Sequence, residues 1–271
     1  TAGLVEHVGT TWLLAASIVL LEVAVFAVRR LSRLSEAMRR SAAPGEQQET
    51  PIGGSVLAGL THTLRSPYLL NICAFILLYS ITSTFLYFQQ ASIVSTGFPD
   101  RAARTLFFAR VDLMVNLLTL AIQLFLTARI LRWFGVALTL GTLPLISALG
   151  FAALAMAPAI AVLVAVQVLR RAGNFALARP AREILFTVLP REDKYKAKSV
   201  IDTVVYRAGD QVGSWSYTLL SWAGLGVAGI ATVAVPLSLL WLVNGLWLGR
   251  RQERLAGSEP GGVESGRSGP D

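Results

Sequence analysis

The sequence predicts an all-α fold, a polytopic membrane helix bundle of about seven transmembrane helices. Three observations carry that expectation. Apolar residues make up 54% of the chain and charged residues only 15%, against about 25% charged in an ordinary soluble domain. The apolar residues are bunched into runs rather than spread in amphipathic stripes, and a run of about 18 or more with few charges has the length of a bilayer crossing. The Lys and Arg residues gather on one side of the alternating loops, as membrane insertion arranges them.

The expected spans are 10–28, 67–88, 105–127, 133–155, 157–178, 199–222 and 225–248. Each is long enough for a hydrocarbon core of about 30 Å at 1.5 Å per residue. Pro67 opens the second span, Phe98-Pro99-Asp100 is a turn before the third, Ala157-Pro158 separates the fourth and fifth, and Ala223-Gly224 separates the last two. Trp12, Tyr68, Trp133 and Trp222 fall near span ends, where amphipathic rings favour the interface.

Orientation follows from the basic residues. With the C-terminus cytoplasmic, the inside segments 29–66, 128–132, 179–198 and the tail after 248 hold eighteen of the 24 Lys and Arg, and the outside segments hold only Arg101 and Arg104. The formal charge of +8 is therefore a topological signal, and no nucleic-acid partner is expected. Residues 29–66 read as a cytoplasmic basic linker, 67–250 as a six-helix bundle and 251–271 as a disordered cytoplasmic tail, rich in Gly, Ser and Pro. The chain opens on Thr1 and has no Lys or Arg before its first span. It lacks the basic start of a signal peptide, and we read it as one part of a longer protein.

The spans contain charges that a bilayer disfavours: Glu22, Arg110, Asp112, Arg170, Arg171, Asp202, Arg207 and Asp210. Charges at membrane depth usually face a bundle interior or a water-filled cavity. Helical rise puts Asn116 about 18 Å below the outer boundary, Arg170 and Arg171 about 20 Å, and Arg207 and Asp210 about 12 and 17 Å from the inner one. Three helices thus bring polar groups to comparable depth. Spacing makes stripes of them: Asp112, Asn116, Thr119 and Gln123 on the third span, Gln167, Arg171 and Asn174 on the fifth, and Arg207, Asp210 and Ser214 on the sixth. The fourth and seventh spans carry no charge and read as peripheral supports.

Other motifs are excluded. Gly224-Leu225-Gly226-Val227-Ala228-Gly229 matches a dinucleotide fingerprint but joins two apolar helices instead of a strand and a helix. Gly209 to Gly213 is a GxxxG spacing inside the sixth span, suited to helix contact. One cysteine and two histidines allow no disulfide, and no metal-ligand spacing is present. The three lysines stand at 194, 196 and 198, so the last span has none for a retinal Schiff base. No cofactor and no catalytic constellation is expected; the chain does not read as an enzyme.

The stretch from Arg179 to Ser199, beginning Arg179-Pro180-Ala181-Arg182-Glu183 and ending Lys196-Ala197-Lys198-Ser199, runs into Val200-Ile201-Asp202-Thr203-Val204. It resembles the loop between helices ten and eleven of the major facilitator superfamily. More specifically, it is similar to the ATP/ADP translocases of plastids and intracellular bacteria, over about 35 residues. Gly209-Asp210-Gln211-Val212-Gly213 departs from the Gly-Lys-Ser-Gly-like run of those proteins by placing Asp210 at a basic position. The resemblance implies that residues 1–28 are helix six, the last helix of an N-terminal half, and that the rest is the C-terminal six-helix bundle of a twelve-helix fold. It implies secondary active transport by alternating access, of a nucleotide (ATP/ADP exchange) or another organic anion. In that reading Arg170, Arg171 and Arg207 bind the anionic group, Asn116, Gln123, Gln167 and Asn174 hydrogen-bond the substrate, Asp112 or Asp210 serves ion or proton coupling, and Asp210 also faces the substrate. The expected partners are the lipid bilayer and the N-terminal half, and the expected location is a bacterial inner membrane. A transport-inactive scaffold or sensor on the same fold is the alternative.

Overall fold

The computed structural model describes residues 12, 15, 17–33 and 66–257, and all of its regular structure is helical. The chain divides into two compact units, Thr1–Gly53 and Gly54–Asp271. In the first unit, helix α1 is described over 17–33 and its residues, Glu22 included, are exposed. The rest of the expected linker, 34–65, and the tail from 258 lie outside the described residues.

The second unit contains six helices or helical runs: α2, Pro67–Gly97; α3, Arg101–Phe125; α4, Thr127–Met156; α5, Ile160–Leu185; α6, residues 191–222; and α7, Val227–Gly257. All but α6 are long and apolar enough to cross a membrane. In α6 the run Arg207 to Gln211 lowers the apolarity. Together with its sequence pattern, this makes the chain an integral membrane protein of the all-α class.

Local chemistry sets the ends. Ser66 caps α2 ahead of Pro67, where a missing N–H costs nothing. Asp100 caps α3 by accepting from the Ala103 amide at 3.0 Å, and the Arg104 guanidinium donates to the Phe98 and Pro99 carbonyls at 2.7 and 2.8 Å. Tyr68, expected at the interface, is buried instead; its hydroxyl donates to the Leu185 carbonyl at 2.8 Å and so satisfies the end of α5. Gly135 breaks α4 at φ 71°, leaving 127–134 as a short connecting turn of helix. The Glu253 carboxylate accepts from the freed amides of Val136 and Ala137 at 2.9 and 3.2 Å. That contact explains why α7 continues through Gly257 and so extends into the 251–271 segment expected to be disordered.

The neighbour order is an open arc, α3–α5–α4–α7–α2–α6. The tightest pair is α4 with α7, where Gly249 lies so close to Ala137 that a Cβ would stand 2.1 Å from its Cα. Gly209 and Gly213 bring α6 against Ser80 and Thr84 of α2, the role expected of that GxxxG pair. The packing repeats: α2 sits on α6 and α7, and α5 sits on α3 and α4. The first helix of each three-helix set thus packs on the second and third helices of the other. One apolar cluster gathers around Phe75, Leu140, Phe186 and Trp241, and a second around Phe85, Phe151, Leu163 and Ile230. The buried polar residues Ser80, Thr82, Ser147, Arg170 and Ser238 fall near the junction of the two.

Candidate functional site

The arc is closed across its middle by side chains of α5 reaching α2. Arg170 is the largest of these connections. It is 5% exposed, and its Nε donates to Ser147 Oγ on α4 at 2.9 Å. Its terminal nitrogen donates to Thr82 Oγ1 and Ser83 Oγ on α2 at 3.0 and 2.9 Å, and to the Tyr79 carbonyl at 3.4 Å. The guanidinium lies 5.4 Å from the Tyr79 ring centroid. A charge held by hydroxyls, a carbonyl and a ring, with no carboxylate partner among the described residues, ties three helices together through its Nε and one terminal nitrogen.

Arg171 points the other way. It meets Asp112 of α3 at 2.5 Å, with the two side chains 41% and 54% exposed. Gln167 donates to Gln90 of α2. Asn174 Nδ2 donates to the Tyr79 hydroxyl at 3.0 Å.

At Asn174 the α-helical register stops. Residues Asn174–Ala178 form a π turn, and α5 then resumes as Arg179–Leu185. Pro180 explains this. It has no N–H, and in an α-helix its ring would press on the carbonyl four residues back. The carbonyls released there are satisfied from the end of α3 and the start of α4: Gln123 Nε2 donates to Phe175 at 3.2 Å and Thr127 Oγ1 to Ala176 at 2.9 Å. A second π turn, Ile201–Val205, lies in α6. Turns of this kind recur at functional sites. The two flank one narrow cleft, with room for about one water (10 Å³), lined by Tyr79, Asn174, Arg179, Arg182 and Tyr206.

The remaining expected residues stand apart from this network. Arg207 is exposed on the face of α6 away from its glycine contact and Asp210 is exposed on the flank, and they form no ion pair among the described residues. Asn116 is exposed on α3. The structure therefore joins Arg170, Arg171, Asn174, Gln167, Gln123 and Asp112 through α5. It holds Asn116, Arg207 and Asp210 on the two helices that end the arc. No cluster suited to a metal ion occurs among the described residues.

The sequence model of the TLC ATP/ADP transporter family matches residues 5–251. The chain belongs to that family. No curated protein and no solved structure matches it. The family match runs far beyond the loop that first suggested it and takes in every helix of the arc.

Residues of this TLC-family chain that sequence reasoning passed over include Tyr79, Ser147 and Thr82, whose hydroxyls look like ordinary helix residues until α5 brings Arg170 to them. Arg182 and Tyr206 were also passed over. The Arg182 guanidinium donates to the Tyr206 hydroxyl, lies 5.5 Å from its ring, and approaches Asp202 at 3.9 Å. The spacing of Arg179 and Arg182, one turn apart, was the available signal; both fall in the inside segment 179–198, beyond the expected end of the fifth span at 178.

Proposed function

We propose that this chain is the C-terminal half of a nucleotide carrier that exchanges ATP and ADP by alternating access against an N-terminal six-helix half. The observation that carries the reading is the division of the in-membrane cations. Arg170 is buried and engaged in packing, whereas Arg207 stands exposed, with no ion pair among the described residues, on a helix that buries little beyond its glycine contact with α2. In a membrane such a cation needs a polar cavity and an anion. The reciprocal packing of the two three-helix sets supports the mechanism, since nested repeats of this kind build transporters that rock around a midplane site.

In this reading Arg207 contacts the phosphates, with Asn116 across the cavity. Arg171 joins when Asp112 releases it, so that pair responds to substrate arrival, and Asp210 is the coupling carboxylate. Arg170, Asn174, Gln123 and Gln167 set the frame. The eighteen basic residues of the inside segments favour a cytoplasmic C-terminus, and we assign the protein to a bacterial inner membrane. The test is exchange of radiolabelled ATP and ADP by the full-length protein in proteoliposomes, with phosphate as control. Arg207→Ala should lose exchange while inserting and folding normally; undiminished exchange by that variant overturns the assignment. The partners that Arg170 and Arg171 already have within the bundle favour one competing reading, a transport-inactive scaffold. A scaffold should survive exchange of Arg207 and Asp210 for one another, which a carrier should not.

A further inference from the structure

The cleft between the two π turns is assigned no ligand by the roles above. Arg179 and Arg182 line it from one face of α5, a single turn apart. Each guanidinium is laid on a ring: Arg179 is 4.6 Å from the Phe175 centroid and Arg182 is 5.5 Å from that of Tyr206. Stacking fixes the plane of a guanidinium and leaves its N–H edge free for an oxyanion. Counter-charge is scarce. Arg179 is exposed and has no ion pair among the described residues. Arg182 spends one N–H on the Tyr206 hydroxyl, and its carboxylate is Asp202 at 3.9 Å, too far for the two-pronged contact that would saturate it. The nearby Glu183 is taken by Lys198 at 2.6 Å. Two stacked cations with one loose carboxylate attract an anion with several oxygens.

We infer that Arg179 and Arg182 form a phosphate-binding station at this end of the bundle, Asp202 giving way as the phosphate arrives. The cleft is too narrow for a nucleoside, so the phosphate seats at its mouth, where Arg179 is exposed. That the phosphate belongs to a nucleotide rests on the carrier reading above. A lipid headgroup shares the chemistry.

The test uses the full-length protein in vesicles of phosphatidylcholine alone and of phosphatidylcholine with phosphatidylglycerol. KM and kcat for ADP are measured separately from each face. Arg179→Gln with Arg182→Gln should raise KM about tenfold or more from the face where these residues open, with kcat nearly kept. Arg182→Lys should restore part of the loss, and Asp202→Asn should lower KM. A defect seen only with phosphatidylglycerol keeps the station and makes its occupant a lipid. Unchanged KM in both membranes, with exchange intact, overturns it. If the wild type exchanges no nucleotide, pyrophosphate decides: thermal stabilisation by pyrophosphate that the double variant loses keeps the station, and equal stabilisation of both proteins removes it.

Discussion

The α4–α7 pair and the α3 helix are built from similarly apolar sequence and are packed very differently. In the most apolar stretch of α4, 56% of residues are buried, against 11% in α3. On α3 only Val111 and Val115 are buried, and on the last segment of α6 only Gly209 and Gly213. The comparison teaches that apolarity records contact with lipid or protein alike, whereas burial separates the two. It also gives one residue type two roles. An arginine in the packed middle is held by hydroxyls of two neighbouring helices, and an arginine on the sparsely buried face of α6 is exposed.

The largest effect should come from forcing the packed pair apart. Gly249→Leu places carbon against the backbone of Ala137 and should cost about 3 kcal/mol or more, seen as loss of the folded species in detergent by size exclusion. The same change at the exposed Gly226, which has nothing within 4 Å of a built Cβ, should be tolerated. Next is Arg170→Ala, which removes the hydrogen bonds that tie α5 to Ser147 on α4 and to Thr82 and Ser83 on α2 and empties the space the buried side chain fills. We expect about 2–3 kcal/mol of destabilisation, read as a lower thermal midpoint, and a weaker α2–α5 contact. The smallest is Asp112→Asn. A half-exposed pair contributes no more than about 1 kcal/mol, so the midpoint should barely move while substrate affinity changes through the released Arg171. A large stability loss there would place Asp112 with the packed region.

Part of this division was legible in the sequence. The small-residue spacing in α6 became its contact with α2. The uncharged spans 133–155 and 225–248, expected as peripheral supports, instead form the tight α4–α7 pair in the middle of the arc, because a lack of charge suits burial against protein as well as exposure to lipid. The polar stripe of α3 was also correct as a stripe. Its use was not legible, because whether Gln123 meets a ligand or a carbonyl depends on a neighbouring helix leaving that carbonyl unpaired. The expected span ends at 88, where Gln89, Gln90 and Ser92 interrupt the apolar run, whereas α2 continues to Gly97. In the fold Gln89 is buried, and Ile93 and Val94 belong to the core. The π turns escaped for a related reason: hydrophobic periodicity assumes one register, and they change it.

That change has a consequence for reading insertions and deletions. A π turn holds one residue more than the α turn it replaces, and its widening absorbs that residue where it stands. The flanking turns keep their faces, so Arg170 stays on its hydroxyls and Arg182 on Tyr206. Removing a single residue from 174–178 would tighten the turn onto Pro180, whose ring would then press on the carbonyl four residues back. In a chain of this fold, one missing codon at that point would strain the bend and leave both ends of the bundle facing as they do now.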